Sequence, residues 1–348
     1  MRATVVGAGI GGLTVAAGLH AAGWEVVVRE RAAGPVTDGT ALGIWPAAVR
    51  ALDGLGAGDD LRAVSRPQSS GTLRRPDGTR LATIDASRTG EVLLVARPDL
   101  MALLAARLPG GTVRYDDPVT GPAGLHAGAD LVVGADGVGS VVRALLPGGA
   151  GVRPRRTGTV AYRGVATLRV DAGSETWGRA ARFGVLPHGP AGDRVNWYAV
   201  LPAPDVPAAR DPEADLALLR ERFGDWHDPV PRVLDRIAAD GHLRHHLADL
   251  HPRLRSYTDG HRVAVLGDAA HAMTPDLGQG ACQALLDGVA LASAVTSGDP
   301  LPAALRRYDR ERRRRTQRLA GTARVVHRVA QARRGVRLRD AVLRALPA

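Results

Sequence analysis

Residues 1–30 read MRATVVGAGIGGLTVAAGLHAAGWEVVVRE, and their order decides the fold. Ala3 to Val6 is a short apolar run, Gly7 to Gly12 a glycine cluster, and Leu13 to Ala22 an Ala- and Leu-rich segment with helical spacing. A second apolar run, Glu25 to Val28, ends at Arg29 and Glu30. Strand, tight turn, helix and strand make one right-handed βαβ unit. Within GAGIGG, Gly7, Gly9 and Gly12 occupy the GxGxxG positions. Gly7 permits the turn, Gly9 lets the backbone approach a pyrophosphate, and Gly12 allows close packing of a helix whose first amides hold the anion. Glu30, about 20 residues on, is placed to accept hydrogen bonds from ribose hydroxyls. The unit reads as a dinucleotide site, with NAD and FAD both open.

Outward from this unit, Gly39 to Leu55 is a loop (GTALGIWPAAV) leading into a helix. Arg66 to Val95 alternates around the turn signal Pro76, Asp77, Gly78, as in an antiparallel hairpin. Arg97 to Leu108 reads as a helix with Pro98 in its first turn. Ala129 to Ala135 is a buried strand ended by Asp136 and Gly137, and Gly151 to Pro202 is strand-like and holds Tyr162, Trp177, Phe183, Trp197 and Tyr198. Asp211 to Leu247 reads as helical, Val263 to Leu266 as a last buried strand, and the remainder as helix. The expected class is therefore α/β: a Rossmann-like cofactor domain interrupted by a mixed or antiparallel substrate domain, with C-terminal helices. The expected division assigns 1–64, 97–150 and 258–348 to the cofactor domain and 65–96 and 151–257 to the substrate domain. Asp116 to Gly128 is the most linker-like stretch.

Composition narrows the chemistry. The 348 residues include no lysine, which removes Schiff-base, pyridoxal phosphate and Walker-loop chemistry. The formal charge of +11 is carried by arginine alone, and the run Arg312 to Arg315 lies in a helical region poor in aromatics. It is read as a solvated helix face, with no nucleic-acid partner. No run of about 18 apolar residues suggests a membrane span. The start of the chain, which leaves no room for a secretory leader, and a lone cysteine, Cys282, point to the cytoplasm. His242, His245, His246 and His251 are irregularly spaced without a carboxylate pattern, so no metal site is expected.

Two further segments carry chemistry: ADLVVGADGVGS, with Asp136, Gly137, Ser140 and Arg143, and VAVLGDAAHAMTPDLGQGACQALLDG, from Val263 to Gly288. In the latter a buried strand delivers Asp268, a loop with Pro275 follows, and Gly278 and Gly280 precede a helix starting near Ala281. That helix N-terminus favours an electron-rich ring carrying negative charge, as a reduced flavin does and a nicotinamide does not.

At this point the chain resembles the aromatic-hydroxylase-type flavoprotein monooxygenases, the group A enzymes related to p-hydroxybenzoate and salicylate hydroxylases. The resemblance runs from Arg2 to about Arg324. It rests on GAGIGG with Glu30, ARPDL around Arg97, GADGVGS around Asp136, AYRGV around Arg163, GDAAHAMTPDLGQG, and Tyr308 with the arginines after it.

The resemblance implies a glutathione-reductase-type FAD domain, non-covalent FAD, and NAD(P)H, dioxygen and a small organic substrate as reaction partners. Members of the family hydroxylate aromatic or polyketide-like molecules through a flavin hydroperoxide, so no catalytic acid or base need appear in a motif. By position, Gly7, Gly9, Gly11 and Gly12 would hold the FAD pyrophosphate, and Glu30, with Arg31, the adenosine ribose. Arg97 would contact the cofactor, Asp136 would sit near the pyrophosphate and the reductant path, and Asp268 would bind the ribityl chain. Pro275 would border the oxygen site, and amides from Gly278, Gln279, Gly280 and Ala281 would bind the pyrimidine edge. Cys282 stands where the family has Asn, and the thiol near a helix N-terminus invites a lowered pKa, although a tolerated small residue is the simpler reading. His271 is read as structural. Tyr115 to Leu131 is shorter than the usual meander. The pocket walls are expected from Arg66 to Val95, Val160 to Val200 and the loop at Trp45 and Pro46. A monomer or homodimer is expected. The competing reading is a non-hydroxylating FAD oxidoreductase or a catalytically silent flavin-binding regulatory protein. Halogenases are excluded by the missing lysine and GWxWxIP motif, and a plain NAD dehydrogenase leaves GDAAH and GQG without purpose.

Overall fold

The fold is taken from a computed structural model, which describes residues 1–68, 70–85, 90–121, 124–125, 128–207, 209–238 and 241–345. Part of the linker-like Asp116 to Gly128 stretch lies outside them.

The opening βαβ unit forms as its pattern requires: strand Arg2–Val6, helix Ile10–Ala21 and strand Glu25–Arg29, the strands paired in parallel. They sit in a five-stranded sheet of order Val263–Val265, Leu131–Gly134, Arg2–Val6, Glu25–Arg29, Val113–Arg114, in which every pairing is parallel. Leu131, Val132, Val133, Val263, Ala264 and Val265 are all buried, as expected of a sheet covered on both faces. The chain is thus mixed α/β with a Rossmann-like parallel core.

A seven-stranded sheet lies against this core, in the order His242–His251, Arg153–Thr167, Arg194–Pro202, Arg182–His188, Gly173–Trp177, Ser70–Arg74, Arg80–Asp85. The hairpin expected at Pro76 forms: the Gly78 amide donates to Arg75 O, and Gly78 adopts a φ of +84. One face of the sheet packs Val160, Tyr162, Phe183 and Trp197 against Leu219 and Phe223 of the helix Pro212–Phe223. Phe183 stacks on Trp197 and meets Phe223 edge-on. Most of the aromatics flagged in this region are therefore core.

Two expectations about elements are corrected. Asp211 to Leu247 is not helical throughout: helices Pro212–Phe223 and Val230–Leu234 give way to the strand His242–His251, which pairs antiparallel with Arg153–Thr167. From His242 the chain alternates between sheet faces, a period-2 pattern hidden by the polarity of its histidines and arginines. Their partners explain that polarity. Asp215, buried, accepts from Tyr162 Oη at 3.0 Å, from Arg244 Nη1 at 3.0 Å and from His242 Nε2 at 3.4 Å. Second, Gly39 to Leu55 is not a plain loop before its helix, because Ala41–Ile44 is a strand paired with Val92–Ala96 in a separate three-stranded sheet.

The helix Leu301–Ala330 also departs from expectation. Arg314 and Arg315 are exposed, but Arg312 is only 4% exposed and faces inward, so the arginine run is not a uniformly solvated face. A last helix, Val336–Ala345, brings Leu343 against a small cluster of Leu73, Leu81, Trp177 and Ala330. No helix among the described residues is long and apolar enough to cross a membrane.

Candidate active site

Three motifs meet at the carboxyl edge of the parallel sheet, where open α/β sheets bind their ligands. Gly134 is in register with Val6 on one side and Val265 on the other, so the turns that follow lie side by side. Their contacts are tight. A Cβ on Gly7, whose φ is +100, would lie 2.5 Å from Ala135 O, and one on Gly12 would lie 1.9 Å from Gly7 O. A Cβ on Gly11 would strike Leu266 at 2.4 Å, which ties the first motif to the strand bearing Asp268. Gly9 differs: none of the described residues beyond its chain neighbours lies within 4 Å of where its Cβ would be.

Helix Ile10–Ala21 and helix Gly280–Val295 pack along a seam of small residues. Cβ atoms on Gly11, Gly18 and Gly288 would come within 3.4 Å of Ala284, 2.7 Å of Ala292 and 2.9 Å of Thr14 respectively. The pairs 11/284, 14/288 and 18/292 advance together, so the helices run parallel and present their N-termini side by side. Neither end is capped by a side chain: the N-caps are Gly9 and Gln279. Each terminus carries unpaired amides and a partial positive charge of roughly half an elementary charge. Two such ends in contact repel unless an electron-rich or anionic group lies across them. Gly280, like Gly9, has open space at its Cβ. Gly11 was read only as part of the glycine turn, and the other small residues of the seam escaped the sequence reading, although the three- and four-residue spacing of Gly and Ala in GGLTVAAG and ACQALLDGVALA carries the signal.

The other candidate residues fall around this edge. Glu30 accepts from the amides of Ala8 at 2.7 Å and Ala32 at 2.9 Å, which fixes its carboxylate beside the glycine turn. Arg31 is exposed next to it. Asp136 Oδ2 accepts from the amides of Val141 and Val142, while its Oδ1 is buried with no donor among the described residues. Arg143 is buried, giving its two amino groups to the carbonyls of Ala269 and Val138. Arg97 is exposed at the start of its helix. Asp268 is exposed, yet the protein packed around it raises its carboxyl above the usual range, against the pull of His271 and Arg97. Gly267, at φ +57, makes the turn that presents it.

His271 is structural as expected. Buried, its Nε2 donates to Asp287 Oδ2 at 2.5 Å, and Asp287 also accepts from the Gly267 amide at 3.0 Å and Arg312 Nε at 2.7 Å. Cys282 is buried: its Sγ donates to Gly43 O and accepts from the Trp45 amide, and burial pushes the thiol up to about 11. The lowered pKa is thus corrected, because burial outweighs the helix terminus. Pro275 and Gly278 are exposed, and Gly278 approaches the Trp45 indole.

Beyond Pro275, Asp276 reaches the seven-stranded sheet. It pairs with Arg182 Nη1 at 2.9 Å and accepts from His327 Nδ1 at 3.1 Å, and His327 Nε2 meets Thr159 at 3.2 Å. Arg182 is also paired with Glu175 and lies against the Tyr198 ring. Burial alone would raise Asp276, but His327 and Arg182 hold it below the usual carboxylate range. Four segments far apart in sequence supply this network, and no local pattern announced it. Among the described residues no group of three His, Cys, Asp or Glu side chains could hold a metal ion.

The family model of the FAD binding domain matches residues 1–121 and 110–323. An aurachin C monooxygenase/isomerase of Stigmatella aurantiaca is 34% identical over 334 residues, covering 87% of this chain and 83% of its own. The chain belongs to this family of FAD-dependent monooxygenases. A 3-amino-4-hydroxybenzoate 2-monooxygenase of Streptomyces cremeus is also 34% identical, over 342 residues, with 91% and 84% covered. Klebsiella pneumoniae HpxO, solved with FAD and uric acid, superposes with a TM-score of 0.85 at 26% identity, covering 99% of this chain and 92% of that one. The family's cofactor suits the paired helix ends, since FAD carries both a pyrophosphate and an electron-rich pyrimidine edge.

Proposed function

We propose that the chain uses NAD(P)H and dioxygen to hydroxylate, or otherwise oxygenate, an aromatic or polyketide-like small molecule. When bound, FAD takes up the electrons of NAD(P)H and transfers one atom of oxygen. The observation that carries the reading is the pair of parallel, uncapped helix N-termini at the carboxyl edge of the sheet. In this reading Gly7, Gly9, Gly11 and Gly12 hold the pyrophosphate, and Glu30 and Arg31 the adenosine ribose. Glu30 already accepts two amide hydrogens, but a carboxylate has about four acceptor positions, which leaves capacity for ribose. Asp268, exposed at the turn after the last parallel strand, takes the ribityl hydroxyls as a hydrogen-bond acceptor. Asp136 Oδ1 offers a second buried acceptor. Arg97 contacts the cofactor, Pro275 borders the oxygen site, and the first amides from Gly278, Gln279, Gly280 and Ala281 meet the pyrimidine edge.

The cofactor domain is drawn from 1–64, 97–150 and 258–348, and the substrate domain from 65–96 and 151–257. The cleft between them excludes water from the reacting atoms. Arg182, Asp276 and His327 hold its two walls in register. The enzyme is proposed to be cytoplasmic and to act as a monomer or homodimer. The test is a ligand screen following oxygen-dependent NAD(P)H oxidation by the FAD-loaded protein. Stimulation by a ligand, with one oxygen atom of labelled dioxygen in the product, supports the reading. A yellow protein that never oxidises NAD(P)H with any ligand is instead a silent flavin-binding protein.

A further inference from the structure

Among the described residues six large apolar side chains are exposed, and four of them, Val325 (57%), Val329 (41%), Leu338 (71%) and Val342 (54%), lie on the last two helices. Apolar side chains scattered singly over a surface are ordinary, but a concentration marks a contact. Val325 and Val329, like Leu338 and Val342, stand four residues apart, so each pair forms a stripe along its helix. Residues one position on from these stripes point inward: Val326 and Leu343 pack against the cluster of Leu73, Leu81, Trp177 and Ala330. Arg339 ties the helices together, donating to the carbonyls of Ala330 at 3.3 Å, Gly178 at 3.1 Å and Trp177 at 3.2 Å. The connection between them is held as well, with Ala332 O accepting from the Ala180 amide and Arg333 O from Arg179 Nε. Both stripes therefore belong to one built corner of the molecule.

The charge on this corner has one sign. From Val325 to Ala345 every exposed side chain larger than alanine is valine, leucine or arginine, the arginines being Arg328, Arg333, Arg334, Arg337 and Arg344. Asp340, the lone acid of the stretch, is buried and paired with Arg339 at 2.9 Å. Arg333 reaches Asp205 at 3.9 Å and Arg344 lies near Asp77, whereas Arg328, Arg334 and Arg337 make no ion pair among the described residues. A second copy of the chain is a poor cover, because a two-fold contact would set these arginines against one another. Nucleic acid would satisfy the cations but leave the aliphatic side chains without a purpose, and no exposed aromatic stands among them for bases to stack on. An anionic lipid surface answers both features: aliphatic side chains enter the acyl boundary while guanidiniums reach up to the phosphates.

We propose that the outward face of the helices Leu301–Ala330 and Val336–Ala345, at Val325, Val329, Leu338 and Val342, docks on the surface of an anionic lipid bilayer. The helices lie in the headgroup region and do not cross it. Membrane contact of this kind does not depend on what the flavin site oxidises.

The test is co-sedimentation of the purified full chain with vesicles of phosphatidylcholine alone and of equimolar phosphatidylcholine and phosphatidylglycerol. Binding to the mixed vesicles is expected to be at least about tenfold tighter, since each arginine near an anionic surface contributes about fivefold, and to weaken as salt is raised. Arg334→Gln with Arg337→Gln is expected to lose about tenfold or more of that binding. Leu338→Ser with Val342→Ser, and separately Val325→Ser with Val329→Ser, is each expected to lose about tenfold with every charge kept. All these side chains are exposed, so melting temperature should stay at the wild-type value. Arg220→Gln with Arg306→Gln removes the same charge from exposed positions elsewhere and should leave binding within about twofold. A wild type that ignores the mixed vesicles would overturn the proposal. So would equal losses from the two arginine pairs, or undiminished binding by both serine pairs, since either result would mean only the general attraction of a basic protein. A wild-type dimer that the serine pairs convert to a monomer would assign the face to a second copy instead.

Discussion

Arg312 donates its Nε hydrogen to Asp287 Oδ1 at 2.7 Å, and both side chains are buried. The contact joins the helix Leu301–Ala330 to the helix Gly280–Val295, whose N-terminus is the one proposed to meet the cofactor. Through its other oxygen Asp287 holds the Gly267 amide and His271. The turn presenting Asp268 is thus anchored from behind by a buried ion pair.

Removing Arg312 would strand the Asp287 charge. Arg312→Met is therefore expected to lower unfolding stability by about 3–5 kcal/mol, the range for breaking one side of a buried pair. Arg314→Met, on the exposed side of the same helix, should fall within about 0.5 kcal/mol of wild type. Urea unfolding of the two variants checks this, and equal effects would contradict it.

Asp249, Asp276 and Asp287 are all held below the ordinary carboxylate range despite burial: Asp249 by Arg155 and Arg324, Asp276 by His327 and Arg182, Asp287 by His271 and Arg312. A carboxyl depressed in the folded state contributes stability that is complete above its unfolded pKa, about 3.9 for Asp, and that disappears as pH falls through the folded value. The melting temperature should therefore drop steeply below about pH 4. A melting temperature that holds level down through that range would show that these pairs contribute little.

Gly9 and Gly12 separate ligand contact from packing. A methyl at Gly12 collides with Gly7 O, so Gly12→Ala should fail to fold or melt far below wild type. A methyl at Gly9 has no described residue within 4 Å and the backbone φ of −73 accepts alanine, so Gly9→Ala should fold normally yet bind FAD at least about tenfold more weakly, because the methyl enters the space assigned to the pyrophosphate. Melting curves and FAD titration check both, and normal FAD binding by Gly9→Ala would count against the assignment.

The Cys282 thiol, held up to about 11 by burial, should resist a water-soluble disulfide reagent at pH 8 in the native protein and react at once when the chain is unfolded. Rapid labelling of the native state would mean that the helix terminus governs the thiol after all.

Much of the fold was legible because backbone demands are local. Gly7 must take a positive φ, Gly78 must close a hairpin, and short apolar runs must be buried strands, each readable from a few neighbouring residues. The strand His242–His251 was not, because its polar side chains answer to Asp215 and Arg163, both far away in sequence. Arg312 looked like its exposed neighbours until Asp287 was seen opposite it. The candidate cofactor residues were read from motifs, and the structure gathers them at one edge. What motifs could not supply was the seam from Gly11 to Gly18, whose meaning depends on Ala284, Gly288 and Ala292 lying opposite, or the Arg182, Asp276 and His327 network, which exists only once the two sheets are assembled.

The most direct measurement is the amount of flavin carried by the purified chain, released by denaturation and identified as FAD, for wild type and for Asp268→Ala. The paired helix termini and the Asp268 turn predict one FAD for each wild-type chain, freed without breaking a covalent bond, and a weaker hold in the variant. A wild-type protein that stays colourless and takes up no added FAD would contradict the account.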